Sequence, residues 1–309
     1  MRKIFFNENY QETFLDKGYV EIPLLSADEI EYLLKNLYQF SSDSNFQSTG
    51  NEMCQHDWHC TFYDTNVEYR RAAMKLIEAV FEPHFEKLFV DYKTICSSFF
   101  IKQPDQGELN PHQNPLYSDD PAAFTLGIWC PLVDCSQENG TLEVVEKSQH
   151  LFSKVAYNSV KPYSVYFDEA VKNKYSKALP TKAGHAVILD NRLLHYSRPN
   201  KTETTREAIV IQLIPNECSP VLYYFDYDDP QKDISVFEIT KDYFVENSPE
   251  TMFVYPSELK KIKTMKSEFR FLTEDEFIQL MNLGEIKQIE NGSGKFGKLI
   301  KQLSKVIGG

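Results

Sequence analysis

Between Thr94 and Pro215 the chain is written as short β-rich runs separated by turn formers, and this pattern restricts the fold more than any other feature. The runs are Ile95 to Lys102, Phe124 to Val133, Thr141 to Val145, His185 to Asp190 and Ala208 to Pro215. Pro104, Gly107, Pro111, Asn139-Gly140, Gly184 and Pro199-Asn200 punctuate them, residues that break ladders and accept turn dihedrals. Many short strands with long connections predict a mainly β (α+β) fold of sandwich or jelly-roll type. Asn139-Gly140 predicts a tight turn, because both residues tolerate positive φ.

The flanks follow a different period. Ser26-Ala27-Asp28-Glu29 has capping-box spacing, and Ile30, Leu33, Leu34 and Leu37 continue at helical intervals, so a helix starts there. Tyr69 to Leu88 repeats the pattern through Ala73, Leu76, Ile77, Val80 and Phe81, with Pro83 expected to divide it into two helices. After Pro220 an aromatic, acidic connector, Tyr223 to Asp229, precedes two expected helices, around Ser257 to Phe269 and Thr273 to Asn282. A glycine-containing link then leads to a basic tail, Lys295 to Gly309, with Leu299, Leu303, Val306 and Ile307 on one helical face. Such a tail suits docking onto the chain's own acidic body, an acidic carrier domain or an anionic membrane surface. The 309 residues are expected to form one domain: a helical cover over 1–94, a β core over 95–219 and a helical extension over 220–309.

Charge and apolar run length narrow the partners. Acidic residues number 45 against 33 basic ones, and the formal charge of −12 repels a polyphosphate, so no nucleic-acid partner is expected. Uncharged runs such as Ala122 to Val133 fall short of the ~18 apolar residues that a membrane span needs. Met1-Arg2-Lys3-Ile4 leads into Asn7, Glu8 and Glu12 rather than an apolar signal core, which predicts an intracellular, cytoplasmic protein with reduced thiols. Cys54, His56, His59 and Cys60 crowd four zinc-ligand types together, but tetrahedral sites usually take ligand pairs from two separated segments, so structural zinc is not expected there.

Two histidines stand out by their surroundings. His112 opens a loop after a strand, and His195 ends the run Ala186 to Leu194; alone, either would read as a hydrogen-bonded structural histidine. The segments around them are Pro111-His-Gln-Asn-Pro115, Leu126-Gly-Ile-Trp-Cys-Pro131 through Asn139-Gly140-Thr-Leu-Glu-Val-Val145, and Ala183-Gly-His-Ala-Val-Ile-Leu-Asp-Asn-Arg-Leu-Leu-His195-Tyr-Ser-Arg-Pro-Asn200, with Arg206 beyond. In that order and at those intervals they resemble the phytanoyl-CoA dioxygenase family, in register from about Ile95 to Pro215.

The resemblance implies a double-stranded β-helix core that binds Fe(II) and 2-oxoglutarate and uses O2 to oxidise an unactivated C–H bond. It implies His112 and His195 as the two histidines of a two-histidine, one-carboxylate triad. The implied substrate is a small molecule, an acyl thioester or a carrier-tethered compound. Arg206 is expected to grip the far carboxylate of 2-oxoglutarate with its planar fork, the turn after His195 returning the chain into the neighbouring strand. Ser197, two residues from His195 on extended chain, joins the same site. Trp129 and Thr125, on one face of a strand, and Lys102 at a strand end complete the expected set.

One position departs from the pattern. The family's first motif is His-x-Asp, and this chain reads His112-Gln113-Asn114. Asparagine offers a carbonyl oxygen without the charge; a charge pair at ~4 Å is worth about 4 kcal/mol at an effective dielectric of 20, or roughly a thousandfold in affinity. Four readings stay open: Asn114 is a weaker third ligand, the site is a catalytically silent binding module, Asp119 or Asp120 supplies the carboxylate, or asparagine replaces a natural aspartate. Related halogenases carry glycine or alanine there, and asparagine would fill the space that a halide needs, which leaves halogenation a minor option.

Overall fold

Alternation along the strands assigns each face of the central sheet. The computed structural model describes residues 2–40, 46–50, 56–150, 169, 171–226, 233–247, 255–266 and 273–290, the last eight by backbone only. Six antiparallel strands form one sheet: β1 (Tyr19–Pro23), β2 (His59–Cys60), β3 (Tyr92–Lys102), β5 (Leu126–Pro131), β8 (His185–Asp190) and β10 (Arg206–Pro215), in the order β1-β8-β5-β10-β3-β2. Four shorter strands, β4 (Leu109–His112), β6 (Leu142–Val144), β7 (Lys177–Ala178) and β9 (His195–Ser197), form a second sheet in the order β4-β9-β6-β7. The chain passes repeatedly from one sheet to the other, the jelly-roll arrangement that the sequence predicts.

One face of the large sheet buries Ile22, Phe99, Ile101, Leu126, Ile128, Cys130, Ile188, Ile209, Ile211 and Leu213 against helices α1 (Glu8–Lys17), α2 (Ala27–Phe40) and α3 (Val67–Leu88). The opposite face presents Trp129, Val187 and Ala208 to Leu142 and Val144 of the second sheet. Because side chains alternate at period two, Arg206, Ala208 and Gln212 of β10 share this inner face. Phe14, Leu33, Leu37, Ile77 and Phe81 are almost wholly buried on the helical side, each worth about 1.5–3 kcal/mol over exposure.

The capping box at the start of α2 is present. Glu29 Oε2 accepts from Ser26 N and Ser26 Oγ at 2.8 Å each, and Glu29 Oε1 lies 2.8 Å from His84 Nε2. Burial alone would raise the Glu29 pKa, but the Ser26 backbone N–H and the His84 contact outweigh it and hold the carboxyl at about 2. A depressed folded-state value means that this contribution is complete above the unfolded value near 4.5 and lost as pH falls toward about 2. Ser26→Ala is expected to cost about 1 kcal/mol. Glu29→Gln should flatten the acid limb of a melting-temperature profile; an unchanged limb would contradict the assignment.

Several elements differ from the sequence expectation. Pro83 does not divide α3, which runs unbroken from Val67 to Leu88. The proline leaves the Ala79 carbonyl without its helical donor, at about 3 kcal/mol, but Ile77, Phe81 and Phe85 bury on one core and hold both halves in line. Strand β1, inside the region expected to be helical, pairs with β8. Asn139-Gly140 is a turn with Gly140 at φ 76°, but it carries the chain from the large sheet to the small one rather than closing a hairpin.

The region after Pro220 is mostly strand: β11 (Val221–Tyr224), β12 (Ile234–Glu238) and β13 (Lys261–Met265) form a third sheet, followed after β12 by a short α4 (Tyr243–Glu246). The expected helix around Ser257 to Phe269 is instead β13, because Lys261-Ile-Lys-Thr-Met265 pairs with β12 along a ladder. The helix expected from Thr273 is α5 (Glu274–Glu290), and Thr273 and Glu276 form its capping box. The chain divides into two compact units, Met1–Phe271 and Leu272–Gly309. The basic tail lies outside the described residues. No described helix is long and apolar enough to cross a membrane.

Candidate metal and anion site

The two halves of the histidine motif are stitched together by backbone pairing. His112, at the end of β4, is the ladder partner of His195 at the start of β9, and their ring centroids lie 4.3 Å apart. The next residues bind the loop after β8: Asn114 N donates to the Asn191 carbonyl at 2.9 Å, and the Gln113 side chain donates to the Arg192 carbonyl. His112 Nδ1 lies 2.8 Å from the Asn110 carbonyl and His195 Nδ1 2.8 Å from the Leu193 carbonyl. A carbonyl can only accept, so both Nδ1 atoms carry the proton and both Nε2 atoms keep a lone pair, the tautomer of a metal-binding histidine. Burial lowers the pKa of His112; burial, with His112 as neighbour, pushes His195 down to about 3. Both rings are therefore held in the neutral form that a metal needs.

Asp119 and Asp120 do not supply the missing carboxylate. Asp119 Oδ1 accepts from Ser219 N and Asp120 Oδ1 from Ala122 N, at 2.8 Å each, so both anchor their own loop. Among the described residues no group of three His, Cys, Asp and Glu side chains could hold a metal ion, so neither aspartate completes a set with His112 and His195. His59 of the cysteine-histidine cluster lies 2.8 Å from the Gln47 carbonyl through Nδ1 and 3.1 Å from Tyr69 Oη through Nε2, so both its nitrogens are engaged. Cys54 lies outside the described residues.

Beside the histidines is a pair of buried basic side chains. Arg206 of β10 is the ladder partner of Lys102 of β3, with 1 % and 0 % of their surfaces exposed. Arg206 Nε and Nη1 have no hydrogen-bond partner, and its guanidinium lies 5.7 Å from the Phe100 ring centroid. Lys102 Nζ donates to Ser197 Oγ and to the Arg198 carbonyl, at 2.7 Å each, linking the basic pair to the strand that carries His195. Burial first, then the Arg206 charge, push the Lys102 ammonium well below the usual lysine range. A strand-end lysine is ordinarily exposed; this one is sealed because Gly107 and Gly140 let backbone close over it. A Cβ at Gly107 would come within 2.4 Å of the Lys102 stem, and one at Gly140 within 2.3 Å of the Arg198 carbonyl.

The chain from β9 to Arg206 returns into the facing sheet rather than into a neighbouring strand of its own. Trp129 packs between the sheets with Leu142, Val144 and Ala208. Thr125 is buried but precedes β5, and its carbonyl accepts from Asn191 N at 3.1 Å. Asn191 and Gln212, absent from the sequence expectation, lie on this face and contact Asn114 directly or through one another. Their signal was an amide at the end of one apolar run and inside another.

The jelly roll thus sets two lone-pair histidines at facing strand ends near a buried arginine–lysine pair, donor types that suit a metal ion and an anion respectively. The chain belongs to the phytanoyl-CoA dioxygenase family, whose model matches residues 14–208. It is 28% identical over 128 residues to phytanoyl-CoA dioxygenase 1 of Oryza sativa subsp. japonica, covering 40% of this chain and 45% of that protein. It is 26% identical over 132 residues to phytanoyl-CoA dioxygenase domain-containing protein 1 of Danio rerio, covering 39% and 44%. The chain thus spans under half the length of these curated relatives.

Two solved structures share the fold. The non-heme alpha-ketoglutarate-dependent carbocyclase SnoK from nogalamycin biosynthesis superposes with a TM-score of 0.53 at 17% identity, over 70% of this chain and 86% of that one. HygX from Streptomyces hygroscopicus with nickel and 2-oxoglutarate bound gives 0.51 at 13%, over 69% and 88%.

Proposed function

We propose that the chain is an Fe(II)- and 2-oxoglutarate-dependent dioxygenase, most simply a hydroxylase of a small molecule or of an acyl or carrier-tethered substrate. The carrying observation is Arg206, a wholly buried guanidinium with two nitrogens unpartnered. An isolated buried charge is costly and persists where a ligand completes it. Arg206, Lys102 and Ser197 would hold the far carboxylate of 2-oxoglutarate, and His112 and His195 would hold iron through Nε2, with Asn114 Oδ1 as the third protein ligand. When bound, the iron and co-substrate supply the activation of O2 and the oxidising power that a C–H bond requires. The chain's own residues bind, orient and exclude water: Trp129, Leu142, Val144 and Ala208 keep the space between the sheets apolar, which strengthens each charge contact within it. The position of Asn114 favours a second reading, a silent ligand-binding protein of the same fold.

Metal analysis, with a crystal soaked in 2-oxoglutarate, tests the proposal. Iron on both histidines with the co-substrate against Arg206 supports it; 2-oxoglutarate bound without metal, and no succinate formed with Fe(II) and O2 supplied, supports the silent protein.

Lys102 adds a pH signature. Its Nζ makes two donations, which a neutral amine can also supply, and a carboxylate arriving beside it favours the ammonium form. Co-substrate binding should therefore take up a proton, with affinity falling as pH rises. Calorimetry in buffers of different ionisation enthalpy measures the uptake; Lys102→Met should abolish it, and persistence of the uptake in that variant would contradict the assignment.

A further inference from the structure

Three side-chain amides are joined in a line that begins two residues after His112. Asn114 Nδ2 donates to Asn191 Oδ1 at 3.1 Å, and Asn191 Nδ2 donates to Gln212 Oε1 at 2.9 Å. Asn191 and Gln212 are 2% and 6% exposed, so an amide turned the wrong way would bury an unsatisfied group. Gly127 of β5 makes the room: a Cβ there would come within 2.5 Å of Asn114 Nδ2 and 2.9 Å of Asn191 Oδ1.

An amide has one donating and one accepting end, and only the carbonyl oxygen can serve a cation. A carboxylate has no such asymmetry. In this line Gln212 Oε1 takes the NH2 of Asn191, which turns Asn191 Oδ1 toward Asn114. Asn191 Oδ1 in turn takes the NH2 of Asn114. The end of Asn114 left over is Oδ1. A chain carrying asparagine where its family carries aspartate needs this polarity.

We propose that Asn191, backed by Gln212, is a positioning residue that keeps Asn114 Oδ1, rather than Nδ2, available to a divalent cation on His112 and His195. The site is then a working two-imidazole, one-amide centre. The proposal rests on the metal-binding reading above, and its test separates the two.

Co(II) affinity is measured anaerobically by calorimetry for the wild type, Asn191→Leu, Asn114→Asp and the double variant. Asn191→Leu should weaken Co(II) binding roughly tenfold, equivalent to about 1.4 kcal/mol, in the wild-type background. In the Asn114→Asp background it should change affinity less than about twofold, because either carboxylate oxygen serves the metal. Asn191→Asp, which keeps an acceptor facing Asn114 Nδ2, should restore wild-type affinity. Equal losses in both backgrounds, or none in either, would overturn the positioning role while leaving the metal site intact. Failure of both the wild type and Asn114→Asp to take up Co(II) overturns the metal reading, and this inference with it. If Asn191→Leu does not fold, Gln212→Met must show the same background-dependent loss at smaller size, and a background-independent loss overturns the role.

Discussion

Arg206→Met is expected to weaken 2-oxoglutarate binding at least roughly thirtyfold while raising the melting temperature of the ligand-free protein. The two effects have one cause. Arg206 is 1% exposed, is the ladder partner of Lys102 and has no protein partner for Nε and Nη1, so without a ligand it is a cost to the native state. Replacing buried charge with an apolar side chain of similar length stabilises folds by about 1–4 kcal/mol in comparable cases, enough for several degrees here. In the bound state the same group makes charge-assisted hydrogen bonds, and removing one partner of a buried charged contact costs about 2–5 kcal/mol, a weakening of at least roughly thirtyfold. A thermal melt and a titration of 2-oxoglutarate in the presence of Fe(II) read both. A lower melting temperature with unaltered binding would make Arg206 a structural residue.

Asn114→Asp should strengthen Fe(II) binding by between about tenfold and a thousandfold. The upper limit is the Coulomb gain of a full charge near the metal at an effective dielectric of 20. The lower one allows for the desolvation of the added carboxylate, which offsets part of that gain. Turnover of 2-oxoglutarate to succinate should rise with occupancy at limiting iron. Unchanged Fe(II) affinity would place residue 114 away from the metal.

These expectations separate what the sequence could carry from what it could not. His112, His195 and Arg206 were singled out by the family resemblance of the ordered motifs around them; the structure pairs the two histidines and sets Arg206 against Lys102, and their roles rest on the proposal above. Lys102 was legible as a strand end but not as a buried charge, since alternation reports a face and not a depth; its burial comes from Gly107 and Gly140, each in a separate loop. Asn191 and Gln212 are 21 positions apart in sequence and meet only because β8 and β10 flank β5. The helix over 27–40 was marked by a capping box, a local signal; the one from Thr273 was expected without it, and its Thr273–Glu276 box appears in the structure. Pro83 and Lys261 to Met265 were misread for the opposite reason: a shared core keeps α3 continuous, and a ladder with β12 makes strand of a segment read as helix.

The central claim is that this fold, with asparagine in place of aspartate, still brings a metal and 2-oxoglutarate together. Its most direct test is an anaerobic calorimetric titration of 2-oxoglutarate into the wild type with and without Fe(II), repeated with His195→Ala. The account predicts that Fe(II) tightens 2-oxoglutarate binding at least about tenfold in the wild type, because two protein-bound charges then meet the two carboxylates, and that His195→Ala removes this enhancement. Binding that is equally tight without metal, or an enhancement that survives His195→Ala, would contradict it.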